Sequence, residues 1–545
     1  MRLDEITIGE FKNLKDLTID FDEESPYTVL VGENGAGKSN LLEALTLIFR
    51  HLDLEERAPF SYSIRYRCRD WDVHITSESD DYPQAEVSKV GAERYRDLPR
   101  RRLKDEDAGG PLYRPAFVFG YYSGPSDRLA GLFDRHRERF YDWIIKPTDR
   151  RSGHEDLDPN TLRRLFYAEN LHGQFALIAF FMDSGPTAAS DREFLRDHLQ
   201  IDGLDSVLFV LRRPPWRRTK GGDARFWNAV GDVQVFLARL YEAAYLPARM
   251  PRRIQLDLTK NPSVEHLYLF LPDARSLQSV YDSYGDQYTF FTALESMHLS
   301  KLLGEVRTRV RMTPGAGGGE VTYRDLSEGE QQLLLVLGLL KFTARDETLF
   351  LLDEPDTHLN PAWSTRYLEF LDRFILGSQR SHVIMSTHDP LVFAGLSKPQ
   401  VRVFERDQDG HARVSAPLTD PQGMGIQAIL ASELFRLPSG GLDRTTLREL
   451  DVQRRLASRD DLSSAQQAEL RAVTERLNDL GFWKSDRDPL YQLFLEQFVP
   501  LWEQAHDAVA PDDQQLTVEQ TRARHALAAE IASEIASEQE EPSES

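Results

Sequence analysis

The sequence predicts an α/β protein: a mixed sheet flanked by helices. Three observations predict it. Residues 27–31 read as a buried strand, the glycine-rich stretch Gly32-Glu33-Asn34-Gly35-Ala36-Gly37-Lys38-Ser39 follows, and 40–49 carry an apolar helical face. A second apolar run, 348–352, ends in Asp353-Glu354-Pro355. A third, 382–387, ends at His388. Short apolar runs alternating with helical patterns are the mark of parallel strands with helical crossovers.

The stretch 32–39 fits G-x-x-x-x-G-K-[ST], the phosphate-cradling loop. Glycines let successive backbone N–H groups turn inward on phosphate oxygens, and the following helix adds partial positive charge at its N-terminus. Asn34, Gly35, Ala36, Gly37, Lys38, Ser39 and Asn40 form the run of expected phosphate contacts. Lys38 is placed to reach the terminal phosphates and Ser39 to hold Mg²⁺. A chance match in a glycine-rich turn is the alternative. The agreement of strand, loop and helix argues against it.

Bulk properties bound the rest. At 545 residues the chain is too long for one ordinary core, so two to four structural units are expected. Composition is that of a globular protein, 41% hydrophobic and 28% charged. No apolar run reaches the roughly 18 residues of a membrane span, and the N-terminus lacks the apolar core of a signal peptide. A single cysteine, Cys68, excludes an internal disulfide and a multi-cysteine zinc site. These features lead to a cytoplasmic expectation without membrane contact. The net charge of −22 opposes generic polyanion binding, so nucleic acid could be met only through local basic patches.

In chain order, 1–127 is expected as a first lobe with an N-terminal hairpin over 3–21, the phosphate loop and a small antiparallel sheet around 60–78. Residues 116–120 read as a further buried strand, ending at the turn Tyr121-Tyr122-Ser123-Gly124. Residues 128–310 are expected to be a mainly helical insertion, with helices over 132–145, 162–182, 191–199, 224–244 and 276–310. A second lobe, 311–419, holds the strands ending at Asp353 and His388. It closes with a hairpin around Asp407-Gln408-Asp409-Gly410. Residues 420–515 are expected as a small helical domain, with a capping box at Ser464-Ala465-Gln466-Gln467. The acidic stretch 516–545 passes from helix to a solvated, disordered end.

The polar strand ends suggest chemistry. Asp353 is placed to hold Mg²⁺, Glu354 to orient and deprotonate the attacking water, and His388 to hydrogen-bond the γ-phosphate. Each alone is weak: an Asp–Glu pair is more often a solvated strand end, and a lone His a satisfied core histidine. Their order on consecutive strand ends after a phosphate loop carries the assignment.

The run Leu326-Ser327-Glu328-Gly329-Glu330 resembles the signature motif of ABC-type ATPases, and the order of phosphate loop, signature, Asp–Glu pair and His is also that family's. The resemblance implies ATP and Mg²⁺ as ligands. It also implies a head-to-tail homodimer or higher oligomer in which Ser327, Gly329 and Glu330 of one chain meet the ATP of another. Phe11-Lys12-Asn13 resembles an N-terminal motif of the SMC/RecF-type branch, whose basic and polar side chains approach the nucleotide. This adds Lys12 and Asn13 to the expected contacts. Asp353-Glu354-Pro355-Asp356-Thr357-His358-Leu359-Asn360-Pro361 resembles a run of the OLD- and RecF-related ATPases, with 356–360 at the dimer interface. One departure stands out: no glutamine follows the strand ending at Gly120, so the usual contact of the glutamine loop is unassigned. The Toprim nuclease often appended in the OLD branch also lacks its acidic set here, since Asp407 and Asp409 read better as a hairpin turn.

What remains resembles stand-alone ATPases of prokaryotic antiphage defence, of the Septu and retron-associated PtuA type. Those act with a separate nuclease, often HNH. The rival reading is a RecF-like repair ATPase that clamps DNA. A transporter ATPase is disfavoured by the large insertion. Arg212, Arg213, Arg217, Arg218 and Lys220 surround Trp216, a pattern suited to phosphate contact and stacking or, alternatively, to a solvated loop. Arg249, Arg252 and Arg253 form a second basic cluster, and Arg100-Arg101-Arg102 with Lys104 a third. Cys68 is expected to be structural.

Overall fold

The computed structural model describes residues 1–480, apart from Glu23, Glu93, 108–109, 146–163, Ser184, Pro186, 217–220, 254–261, 344–346, 376–380, 438–442 and 458–461. The chain forms two compact units, Met1–Gly440 and Gly441–Ser545.

The first unit is organised by a seven-stranded sheet. Its order is Leu165–Tyr167, Phe117–Tyr122, Thr348–Asp353, His382–Ser386, Tyr27–Gly32, Val401–Arg406 and Ala412–Ser415. All neighbours are parallel except the last pair. The central strands are apolar throughout because both faces are covered; every residue of Thr348–Asp353 and of His382–Ser386 is buried. Alternate side chains feed two cores. Val29, Val31, Phe350, Leu352, Val383 and Met385 face one, with the helices Leu171–Met182, Glu328–Thr343 and Tyr367–Ile375. Leu30, Leu349, Leu351 and Ile384 face the other, with the helix Lys38–Leu54. Tyr122 pairs with Asp353, and Asp353 with Ser386. The carboxyl ends of neighbouring strands are thus level, which makes the crevice where open α/β sheets bind ligands.

Over the second core lies a six-stranded antiparallel sheet ordered Leu14–Asp20, Arg2–Phe11, Tyr62–Cys68, Trp71–Ser77, Gln84–Lys89 and Arg96–Leu98. It contains both the N-terminal hairpin and the small sheet predicted around 60–78. Cys68 is buried, its thiol donates to the Arg114 carbonyl, and burial pushes its pKa up.

The insertion departs from its prediction. Beside its helices it carries a five-stranded antiparallel sheet, ordered Ala248–Arg253, Ser263–Leu271, Ile201–Arg212, Leu303–Met312 and Glu320–Thr322. The predicted helix over 276–310 is two helices, Ala274–Tyr281 and Gln287–Leu299, followed by the strand Leu303–Met312. The cause is visible in retrospect. Val306, Thr308 and Val310 are buried while Arg307, Arg309 and Arg311 are exposed, a period of two. Likewise 162–182 holds the strand Leu165–Tyr167 before its helix, and 224–244 shortens to the helix Gly231–Ala243 after a 3₁₀ turn.

The helix Ile426–Ala431 belongs to the first unit, with Ile429 in its core, so the helical C-terminal unit starts later than the predicted residue 420. The described part of the second unit is a pair of helices, Arg444–Ala457 and Ser464–Asp479. Arg476 donates to Glu449 at 2.9 Å and Gln453 to Thr474 at 3.1 Å. The capping box is set one residue earlier than predicted, between Ser463 and Gln466. The rest of the predicted helical domain and the tail 516–545 lie outside the described residues. Among the described residues no helix is long and apolar enough to cross a membrane.

Candidate active site

The phosphate loop leaves the strand Tyr27–Gly32 at the sheet's carboxyl edge and enters the helix Lys38–Leu54. Glycine is required at both ends of the turn. Gly32 has φ 145°, and a Cβ there would lie 2.0 Å from the Phe404 carbonyl oxygen. Gly37 has φ 118° and caps the helix in a left-handed conformation. Lys38 is buried, and its Nζ donates to the carbonyls of Gly32 at 2.7 Å and Glu33 at 3.2 Å. Burial lowers its pKa to about 8, against the opposing pull of Glu354 and Asp353. A buried ammonium folded back on its own loop, under a helix N-terminus, suits a polyphosphate.

Lys12 and Asn13 brace this loop. Lys12, in a turn at φ 55°, pairs with the buried Glu43 of the helix. Asn13 donates to the Gly35 carbonyl at 3.2 Å and accepts from Asn40 at 2.6 Å. Arg406 clamps the same Gly35 carbonyl from the opposite side, with donors at 2.7 and 3.0 Å. Its role was not legible in the sequence, because 371 residues separate the partners.

Asp353 ends its strand buried. Ser386 Oγ donates to its Oδ1, and Arg128 donates to its Oδ2 at 3.4 Å. Glu354 adopts a left-handed backbone at φ 54°. Its N–H donates to the Ser386 carbonyl at 3.0 Å, and its own carbonyl accepts from Thr357 Oγ1 at 2.9 Å and Gln332 Nε2 at 3.4 Å. A non-glycine residue held there by its surroundings is costly, which is a mark of functional turns. Burial and the neighbouring Asp353 raise the Glu354 pKa, so its carboxylate is a stronger base than a solvated one. His388 Nε2 stands 3.5 Å from Glu354 Oε1. Burial and then Lys38 lower the His388 pKa, keeping the ring neutral at pH 7.

The signature run opens the helix Glu328–Thr343. Ser327 and Glu330 cap it reciprocally: Ser327 N–H and Oγ–H donate to Glu330 Oε2 at 2.7 and 2.8 Å, and Glu330 N–H donates to Ser327 Oγ at 3.3 Å. A Cβ on Gly329 would lie 2.5 Å from the His358 carbonyl oxygen. Gln332 ties this helix to the Asp353 strand end, since its Oε1 accepts from His358 N–H at 3.0 Å. Among the described residues, no hydrogen bond or ion pair joins Ser327, Gly329 or Glu330 to the 32–40 loop. The fold therefore gathers Lys38, Asp353, Glu354 and His388 at one crevice and sets the signature against 354–358 of the same chain. Gly329→Ala is expected to push this helix off the 358 carbonyl at a cost of roughly 1–3 kcal/mol. Thermal melting and nucleotide affinity check it: the melting temperature should fall while affinity for the phosphate loop stays near wild type.

Asp356, expected at a dimer interface, is buried and accepts from Thr387 Oγ1; Thr357, His358 and Asn360 are the exposed members of that run. Burial raises the Asp356 pKa to about 7. A carboxyl raised in the fold favours the protonated chain, so its contribution is full below about pH 4 and is lost as pH rises through about 7. Asp356→Asn is expected to remove that loss. Melting curves at pH 5 and pH 8 should show a stabilisation concentrated at pH 8, up to roughly 4 kcal/mol by linkage.

The basic cluster fares differently. Arg212 and Arg213 are exposed, while Arg217, Arg218 and Lys220 lie outside the described residues. Trp216, read as a stacking residue, instead packs against the core and donates its indole N–H to the Ser300 carbonyl at 2.7 Å. The turn replacing the glutamine loop is anchored by Ser123, whose N–H donates to the Asp353 carbonyl at 3.2 Å. Sequence reasoning missed Glu43, Arg128, Gln332, Ser386 and Arg406, none of which sits in a spacing motif.

Comparison with known proteins follows this geometry. Residues 1–90 match the family described as "AAA ATPase domain". Residues 187–394 match the family described as "AAA domain, putative AbiEii toxin, Type IV TA system". The chain is 28% identical over 120 residues to "Septu protein PtuA" of Bacillus mycoides (strain KBAB4), covering 21% of this chain and 16% of that protein. It is 24% identical over 154 residues to "Retron Vc95 probable ATPase" of Vibrio cholerae serotype O1 biovar El Tor, covering 26% and 28%. The aligned stretches thus span well under a third of those relatives. Among solved structures, the SMC head domain from Thermotoga maritima aligns over 77% of this chain and 100% of its own at 13% identity, with a TM-score of 0.33. The two family matches between them cover the phosphate loop, the signature, Asp353, Glu354 and His388, so the site residues lie within stretches similar to ATPase domains.

Proposed function

We propose that the chain is an ATP-driven switch, closing head-to-tail on a second copy and thereby controlling a separate nuclease effector of an antiphage system in the cytoplasm. One observation carries the dimer: the helix start at Ser327 and Glu328 is exposed, and among the described residues Ser327 bonds Glu330 of its own helix while Glu328 stands 3.4 Å from His358, so its outer face is open to complete a site elsewhere. The Septu and retron names of the similar proteins support the defence role. Lys38 would bind the terminal phosphates, Glu354 would take the proton of the attacking water, and neutral His388 would donate to the phosphate. Ser39 and Asp353 would hold Mg²⁺, which when bound neutralises phosphate charge. Co-purification from the native operon tests the effector role. A partner whose nuclease activity changes with ATP is expected, and a partner indifferent to ATP would refute it.

A second reading, a DNA clamp, is favoured by one feature. In a chain of net charge −22, Arg307, Arg309 and Arg311 all project from the exposed face of the insertion sheet. Arg252 of the edge strand joins them through Glu305, to which it donates at 3.0 Å. Duplex binding at low salt with and without ATP separates the readings, since a clamp requires ATP-dependent binding.

A further inference from the structure

Arg128 has no part in the mechanism above, yet it lies between two carboxylates of the site. Its Nε stands 3.3 Å from Glu43 Oε1, and its NH2 group donates to Asp353 Oδ2 at 3.4 Å. Its guanidinium carbon lies 5.4 Å from the centre of the Tyr122 ring. Glu43 is buried one helical turn beyond Ser39, on the same face, and its other oxygen pairs with Lys12. Four charges of alternating sign therefore run from Lys12 through Glu43 and Arg128 to Asp353.

This arrangement occupies the carboxylate that the site needs for its metal. Asp353 Oδ1 already accepts from Ser386, so Oδ2 is the oxygen that Arg128 covers. A divalent cation and a guanidinium repel at such distances, so a cation ligated by Oδ2 weakens the hold of Arg128 on it. Arg128 also lies just beyond the turn that lacks the expected glutamine, after Pro125-Ser126-Asp127, and its chain continues into the helix Asp134–Ile144.

We propose that Arg128 is a positioning residue that substitutes for the divalent cation at Asp353 while the site is empty. It yields the carboxylate when the metal arrives with its nucleotide. Still held by Glu43, it then turns its freed N–H groups onto the phosphates. Its planar fork suits that transfer, since the same donors match carboxylate and phosphate oxygens. The displacement would report loading to the helix beyond it.

The inference rests on Asp353 being the metal carboxylate, and the experiment separates the two. Binding of a fluorescent, non-hydrolysable ATP analogue to the full chain is measured in EDTA and in Mn²⁺, and the ratio of the two dissociation constants gives the metal enhancement. Arg128→Ala removes the competitor for Asp353 and, in EDTA, leaves that carboxylate uncompensated against the phosphates, so the enhancement should rise by about tenfold or more, chiefly through weaker metal-free binding. Arg128→Lys keeps the charge without the fork and should fall between. The side chain is 37% exposed, so both variants are expected to melt like wild type. An unchanged or smaller enhancement in Arg128→Ala overturns the proposal. Asp353→Asn should abolish the enhancement. If it does while Arg128→Ala changes nothing, only the role of Arg128 falls; if Asp353→Asn retains the enhancement, the metal lies elsewhere and both assignments fall.

Discussion

Replacing Glu354 by Gln is expected to slow ATP hydrolysis by roughly 10²–10⁴-fold while leaving ATP bound, the range lost when a positioned general base is removed. The structure gives the reason in local terms. Burial and the neighbouring Asp353 raise the pKa of the half-buried Glu354 carboxylate, and Lys38 and Arg128 offset part of that rise. Its backbone is pinned at φ 54° by Ser386, Thr357 and Gln332. The amide of Gln keeps the shape and those backbone bonds but cannot accept a proton. Single-turnover hydrolysis and nucleotide retention after gel filtration check this. A Glu354→Gln chain that hydrolyses at the wild-type rate would remove Glu354 from the chemistry.

Lys38→Ala is expected to weaken nucleotide binding about a hundredfold, the loss of a desolvated charge-assisted contact. The Lys38 ammonium donates to the carbonyls of Gly32 and Glu33, so its removal breaks hydrogen bonds to backbone and not a salt bridge. Titration with a fluorescent nucleotide should show the loss, with melting temperature near wild type. Equal affinity would contradict the phosphate assignment.

Much of the site was legible because it is written in contiguous residues on strand ends. The loop 32–39, the pair Asp353–Glu354 and His388 each carry their own local pattern, and the parallel sheet brings them level through the pairing of Asp353 with Ser386. The hairpin around Asp407 was legible for a similar reason: its carboxylate accepts from the N–H groups of Asp409 and His411, which closes the turn. What escaped is long-range. Arg128 meets Asp353 across 225 residues and Arg406 meets Gly35 across 371, and no spacing encodes such partners. The insertion was misread for a different reason. Flanking helical patterns concealed the alternation of Val306, Thr308 and Val310 with three arginines, and a strand that buries only one face shows no continuous apolar run.

Ser327 and Glu330 gained a second meaning. The sequence resemblance places them on another chain's ATP, and the fold shows them capping their own helix. These roles are compatible, because a capped helix start still presents backbone N–H groups and one hydroxyl to an anion.

The central claim is that each ATP site is shared between two copies of the chain. Sedimentation of the Glu354→Gln chain with and without ATP and Mg²⁺, alongside the same chain carrying Ser327→Arg, tests it most directly. The shared site predicts that ATP doubles the mass of Glu354→Gln and that adding Ser327→Arg restores the monomer while nucleotide stays bound. A Glu354→Gln chain that keeps the same mass with ATP bound, or a doubled mass that survives Ser327→Arg, would contradict it.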